Sequence, residues 1–164
     1  MADKILTQDY LQSIFDYKDG ELFWKKTSST KIKIGDQVSN ISKVGYRRVN
    51  LLGKTYQVHR LIFFMFKGYF PNLIDHIDGN RLNNKIENLR HSSQLQNCQN
   101  TKIKITNTSG CKNVSWNKSR KKWRVSLTVN YKHKYIGEFD YLELADLVAT
   151  EAREKYFGKF ARHH

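Results

Sequence analysis

Acidic residues are scarce in this 164-residue chain: 15 Asp and Glu stand against 29 Lys and Arg, a formal net charge of +14. A surface so positive attracts polyanions and releases their counterions on binding, which points to nucleic acid before a membrane surface or an acidic protein. Cysteine is nearly absent. Cys98 and Cys111 lie far apart and form no CxxC pair, so neither a disulfide framework nor a zinc knuckle is expected. No window approaches the roughly 18 apolar residues of a membrane-spanning helix, and the opening MADKILTQDY has no apolar segment of the signal-peptide kind. A soluble, cytoplasmic protein is therefore expected, in which Asn113-Val114-Ser115 has no meaning for glycosylation. Repeats and low-complexity tracts are missing too. What remains is 39% hydrophobic and 13% aromatic, enough for the core of one ordinary domain or two small ones.

Local signals set out the order of elements. Thr7 to Phe15 reads as a short amphipathic helix capped by Thr7. Asp19-Gly20 between Phe15-Tyr17 and Leu22-Phe23-Trp24 signals a hairpin, and Gly53-Lys54 a second one, between Tyr46–Leu52 and Thr55–Val58. VHRLIFFMFKG is apolar all round and predicts a buried helix over 58–67, ended by Gly68 and Pro71. Leu73–His76 reads as a strand, IDGNRLNNK as a polar loop, and Ile86–Arg90 as a second strand. Ser92 or Ser93 then caps a helix to about Asn100. After a linker at 102–109 come three strands, at 112–116, 122–129 and 132–139, and a helix from about Leu142 to Tyr156 that ends at Gly158.

The chemistry gathers at Asp75-His76. Hydrolysing a phosphodiester requires a base for water, a cation for the charge developing at phosphorus and on the leaving group, and a frame that holds both. Histidine is the natural base near neutral pH. A hard cation such as Mg²⁺ takes oxygen ligands and keeps several waters, so one carboxylate and one amide oxygen suffice. Asp75 beside His76 suits a metal ligand beside a base, with Asn97, on the following helix, as the second ligand. Asn88, just before Leu89-Arg90, is placed to fix the loop and orient the His76 imidazole. Asp78-Gly79-Asn80 lacks the spacing and the final Glu of a calcium loop and reads as turn chemistry. His59 opens a largely apolar helix and is expected to be structural, while Arg60 is a candidate phosphate contact.

These residues carry a resemblance. Val58-His59-Arg60, Asp75-His76-Ile77-Asp78-Gly79, Asn83-Asn84, Asn88-Leu89-Arg90 and Asn97 are together similar to the HNH endonuclease motif of the phage and intron-homing type, over residues 58–100. The resemblance implies a ββα-metal fold, His76 as general base, Asn88 as a structural residue, and one divalent metal ion, Mg²⁺ or Mn²⁺, on Asp75 and Asn97. The third motif letter is Asn instead of His, which suits a hard ion and argues against zinc.

A second resemblance covers 109–161. Lys112–Trp116, Lys122–Val125, Tyr135–Phe139, Ala145, Ala149 and Phe157-Gly158 are similar to the plant ethylene-response (APETALA-type) DNA-binding domain, which implies a helix on a three-stranded antiparallel sheet whose open face enters the major groove. Residues 112–134 hold eight Lys and Arg and no acid. Val114, Trp116, Trp123, Val125, Leu127 and Ile136 share an apolar parity fit for the helix side. Ser115, Asn117, Arg124, Ser126, Thr128, His133 and Tyr135 hold the other parity and are expected to touch DNA, with Lys118, Arg120, Lys121 and Lys122 on phosphates.

The expectation is an α+β protein: a nuclease domain at 1–101, a linker at 102–109 and a DNA-binding domain at 110–164. It cuts duplex DNA, nicking one strand as a monomer, and is phage-encoded and active in a bacterial host. Two other readings are a repressor that kept the fold and lost the chemistry, and a binder of structured RNA.

Overall fold

The computed structural model describes residues 6–163. Three tight hairpins organise much of it, each turning through two consecutive residues of positive φ: Asp19-Gly20 (49° and 86°), Leu52-Gly53 (51° and 73°) and Asn130-Tyr131 (50° and 63°). Such turns match the right-handed twist of paired strands. The described chain separates into two compact units, the first ending at Ser92 and the second beginning at Ser93.

In the first unit, α1 (Gln8–Ile14) starts where the Thr7 side chain accepts the Tyr10 N–H. It leads into the antiparallel pair β1 (Phe15–Lys18) and β2 (Glu21–Trp24). A second antiparallel pair, β3 (Arg48–Leu51) and β4 (Lys54–Gln57), runs into α2 (Val58–Lys67). Gly68, in the left-handed conformation, ends α2 and returns its N–H to the Phe64 carbonyl. Leu11, Phe15, Leu22, Val49, Leu51, Val58, Leu61, Ile62 and Leu89 are among the side chains forming one buried core. The apolar character of α2 on all sides is thereby explained: six of its ten residues are buried.

β5 (Leu73–His76) pairs antiparallel with β6 (Leu89–Ser92), with Asp75 opposite Arg90 and His76 opposite Leu89. The second strand of this pair departs from the sequence expectation. Residues Ile86–Asn88 coil as a 3₁₀ turn, and the strand begins only at Leu89. The cause is closure of the intervening loop: the Asn88 carbonyl accepts the Ile77 N–H, and its side chain is engaged inside the loop.

The second unit opens with α3 (Gln94–Gln99), capped reciprocally by Ser93 and Gln96. Then β7 (Val114–Asn117), β8 (Lys122–Val129) and β9 (Lys132–Phe139) form an antiparallel sheet in that order, followed by α4 (Leu142–Phe157). Val114, Val125 and Leu127 pack with Ala145, Ala149 and Ala152 of α4. The small alanines let the helix lie close to the sheet. Arg153, 1% exposed, crosses beneath the helix to donate to the Lys112 carbonyl and the Thr150 hydroxyl.

Candidate active site and nucleic-acid interface

The end of β5 carries two adjacent buried polar side chains, Asp75 at 4% exposure and His76 at 5%. Their cross-strand neighbours decide much of their environment. Arg90, directly opposite Asp75, sends Nε (2.8 Å) and Nη2 (2.6 Å) to Asp75 Oδ2. His76 leans on aromatic rings: the His59 ring centroid is 5.0 Å away and that of Tyr46 6.1 Å, with the Arg81 guanidinium 5.0 Å over Tyr46. Its Nε2 lies 3.0 Å from Asn84 Oδ1.

Burial pushes the His76 imidazole below its ordinary range, against the Asn84 hydrogen bond and the Asp78 and Asp75 carboxylates, which act in the other direction. A neutral imidazole is what a base requires. His59 is driven further, to about 3, by burial first and then by His76 and Arg60. It is a packed neutral ring within the core side of α2, as the sequence suggests.

The loop from Ile77 to Asn88 is tied down by Asn88 and Asp78. Asn88 Nδ2 donates to Asp78 Oδ1 (2.9 Å) and to the Asn83 carbonyl (2.8 Å), while its Oδ1 accepts the Asp78 N–H (3.1 Å). Asp78 also accepts from the Asn80 N–H (2.8 Å) and from Asn83 Nδ2 (2.7 Å). Burial pushes the Asp78 carboxyl up, but the bonds from Asn83, the Asn80 N–H and Asn88 outweigh it and hold it below its usual value. Asn88 thus fixes the loop, and Asn84 is the side chain that meets Nε2 of His76. In the sequence Asn84 stands only as half of the Asn83-Asn84 pair of the motif. Its pairing with His76, and that of Arg90 with Asp75, have no local signature. Arg60 is engaged as well: it donates to the carbonyls of Pro71 (2.9 Å) and Asn72 (3.4 Å). Asn97 lies half-buried in the middle of α3, in the second unit.

On the sheet of the second unit, register places Ser115 opposite Arg124, Ser126 opposite Tyr135 and Thr128 opposite His133. These are residues expected on the open face. A register shift between Val125 and Ser126 skips Ile136, so Gly137 faces Val125 and Tyr135 faces Ser126. The bulge also places Glu138 opposite Arg124. Simple alternation along β9 puts Glu138 on the helix side, so it was missed; Gly137 inside a strand is the signal that flags such a bulge. The Glu138 carboxylate accepts from Asn117 Nδ2 (2.7 Å), Arg120 Nη1 (3.1 Å) and Arg124 Nε (3.1 Å). The bonds from Asn117, Arg124 and Arg120 hold its carboxyl below the usual range against the desolvation it suffers. Lys122 pairs with Asp140 at 3.2 Å, while Lys118 and Lys121 are exposed in the β7–β8 turn. Trp116 differs from expectation: its ring packs edge-on against Trp123 at 4.8 Å yet is 43% exposed.

Residues 56–99 match the family of HNH endonucleases. Over 96 residues the chain is 42% identical to "Protein 3.8" of Escherichia phage T7, an alignment covering 58% of this chain and 76% of that protein. The chain belongs to the HNH endonuclease family. This HNH endonuclease is also 40% identical over 98 residues to the DNA endonuclease I-HmuI of Bacillus phage SP01, covering 55% of this chain and 56% of the relative. With the uncharacterized HNH endonuclease L560 of Acanthamoeba polyphaga mimivirus it shares 33% identity over 124 residues, 74% of this chain and 63% of the relative. No solved structure matches. Among the described residues no helix is long and apolar enough to cross a membrane. Enzymes of this family generally use a divalent metal ion. The buried Asp75 carboxylate is an oxygen donor of the kind a hard cation takes.

Proposed function

We propose that this HNH endonuclease hydrolyses phosphodiester bonds of duplex DNA with His76 as general base and one Mg²⁺ or Mn²⁺ ion on Asp75 and Asn97, in a ββα-metal arrangement of β5, β6 and α3. One observation supports this above the others: a buried, neutral imidazole stands directly beside a buried carboxylate at the end of one strand. Such a ring accepts a proton from water, and the stiff loop held by Asn88 keeps it in place. When bound, the ion supplies positive charge to the phosphate and the departing oxygen. Arg90 orients Asp75, and Asn88 holds the loop between the two strands.

The second unit is read as an APETALA-type module that grips the duplex. Its open face offers Ser115, Asn117, Arg124, Ser126, Thr128, His133 and Tyr135 to the groove, and Lys118, Arg120, Lys121 and Lys122 to phosphates. Arg60 of the first unit is a further phosphate contact. The one His76 per chain agrees with a monomer that nicks one strand in homing-type fashion, and the phage relatives agree with a phage-encoded enzyme acting in a host cell.

Supercoiled plasmid incubated with Mg²⁺ or Mn²⁺, with EDTA and with His76→Ala tests the reading. Open circles that depend on the metal and vanish in the variant support it. Linear product appearing first indicates paired cutting by a dimer. Tight duplex binding with no cleavage of any DNA, the target included, refutes the catalytic reading.

A further inference from the structure

We propose that Glu138 is a positioning residue for sequence readout: it holds the Arg124 guanidinium on the open face of the β7–β8–β9 sheet so that its outer edge meets a guanine in the major groove. The proposal rests on the reading of the second unit as the module that grips duplex DNA. A carboxylate on a face that meets phosphates lowers affinity by repulsion, yet Glu138 stands on this one. Its side chain is 6% exposed, and three donors converge on it: Asn117 at the end of β7, Arg120 in the β7–β8 turn and Arg124 on β8. The two arginines are held differently. Arg124 brings Nε (3.1 Å) and Nη2 (3.0 Å) to the single oxygen Oε1, which fixes the plane of its half-exposed guanidinium. Arg120, largely exposed, touches Oε2 through Nη1 alone at 3.1 Å. With its Nε edge on Glu138, Arg124 keeps one N–H on each Nη at the outer end. Such a parallel pair of donors matches O6 and N7 of guanine.

The backbone sets this arrangement. β8 is the central strand, and on it Arg124 lies between Ser115 of β7 and Glu138 of β9. The register shift between Val125 and Ser126 brings Glu138 opposite Arg124. Gly137, next to it, keeps the bulge free of strain, since a Cβ there would press on the Phe139 ring at 3.0 Å. A guanidinium already fixed loses less freedom on binding. A matching base pair then gains the full bidentate contact, and a wrong one leaves desolvated donors unpaired. The same carboxylate offsets positive charge that would hold any phosphate, which lowers affinity for arbitrary sequence. Glu138 therefore widens the gap between the right sequence and all others from both sides.

The test selects duplexes from a pool with a randomised core, using the full-length protein in EDTA as wild type, Arg124→Ala, Glu138→Ala and Glu138→Gln. Affinities are then measured for the selected duplex, for the same duplex with each base pair replaced in turn, and for an unrelated duplex. Wild type should prefer one G·C pair by about 10-fold or more, the discrimination of a bidentate arginine, and Arg124→Ala should lose that preference. Glu138→Ala should lose most of it at the same pair while binding the unrelated duplex several-fold more tightly. Glu138→Gln, which keeps a neutral acceptor for Arg124, should match that gain on the unrelated duplex and recover part of the preference. An unchanged preference in Glu138→Ala overturns the proposal. So does a preference lost at a different pair from that of Arg124→Ala, which makes the carboxylate itself the reader. A fall in both affinities together marks a structural role and overturns it as well. Wild-type binding with no G·C preference that depends on Arg124 overturns the guanine contact. No duplex binding by wild type overturns the reading of the second unit itself. If Glu138→Ala fails to fold, Glu138→Gln and Arg124→Ala decide.

Discussion

Arg90→Met should destabilise the first unit by about 3–5 kcal/mol, the cost typical of removing one partner from a buried ion pair. The structure argues for that range. Asp75 is 4% exposed, and two guanidinium nitrogens approach its Oδ2 at 2.8 and 2.6 Å. Methionine fills the space of the arginine stem but leaves the carboxylate in a dry site without that cation. Domains of this kind are stable by only about 5–15 kcal/mol, so the loss is a large share. At a urea slope of about 1.5 kcal/mol/M, the midpoint should fall by about 2–3 M. The assay is urea unfolding in a Trp116→Phe/Trp123→Phe background, where Trp24 alone reports, since the chain has three tryptophans. Adding Asp75→Asn to Arg90→Met should restore much of the loss, because the stranded charge is gone. Millimolar Mg²⁺ should also narrow the gap if Asp75 is a cation ligand, since the ion supplies the charge that Arg90 no longer does. A variant that unfolds within about 1 kcal/mol of wild type refutes the argument, whatever its activity.

Acid should weaken the first unit through His59. Its folded value of about 3 lies below the ordinary 6.5, so the unfolded chain binds the extra proton. That contribution is complete above pH 6.5 and is lost as pH falls toward 3, a change of several kcal/mol; urea midpoints at pH 7.5 and 5 should differ in wild type and converge in His59→Leu. Asn88→Ala removes two bonds made by Nδ2 and one accepted by Oδ1, and should cost about 2–4 kcal/mol, read as faster hydrogen exchange across the loop 77–88. Glu138→Gln removes the negative charge that engages Arg120 and Arg124 on the open sheet face. Affinity for arbitrary duplex DNA should rise and its salt dependence should steepen by roughly one counterion; weaker binding would argue that the carboxylate itself contacts the partner.

Local rules reached far along this chain because its elements are short and punctuated by strong signals. Asp19-Gly20 and Gly53 gave two hairpins their turns, and Gly68 ended α2 where the sequence places the stop. The core face of the second unit was legible from alternation through Val114, Val125 and Leu127. The failures share one physical cause: each depends on a partner that sequence position does not supply. Arg90 meets Asp75 only once the register of β5 on β6 is known. Asn84 meets His76 only after the loop has closed on Asn88. Glu138 reaches Arg124 because a bulge at Ile136 reverses the parity of β9. Ile86–Asn88 carries strand-like residues but obeys loop closure instead.

The two hairpin turns of the first unit have nearly the same backbone, yet they are not equivalent places to alter the molecule. Gly53 has nothing within 4 Å of where a Cβ would stand, and Leu52 is exposed. Gly20 is buried against backbone. An epitope, a fluorophore or a fused domain spliced in at 52–53 should leave a working nuclease, whereas the same insertion at 19–20 should inactivate it while the β1–β2 ladder still forms. A survey of tolerated insertions, grown under selection for cleavage, would therefore draw a map in which one of two look-alike loops is permissive and the other is silent.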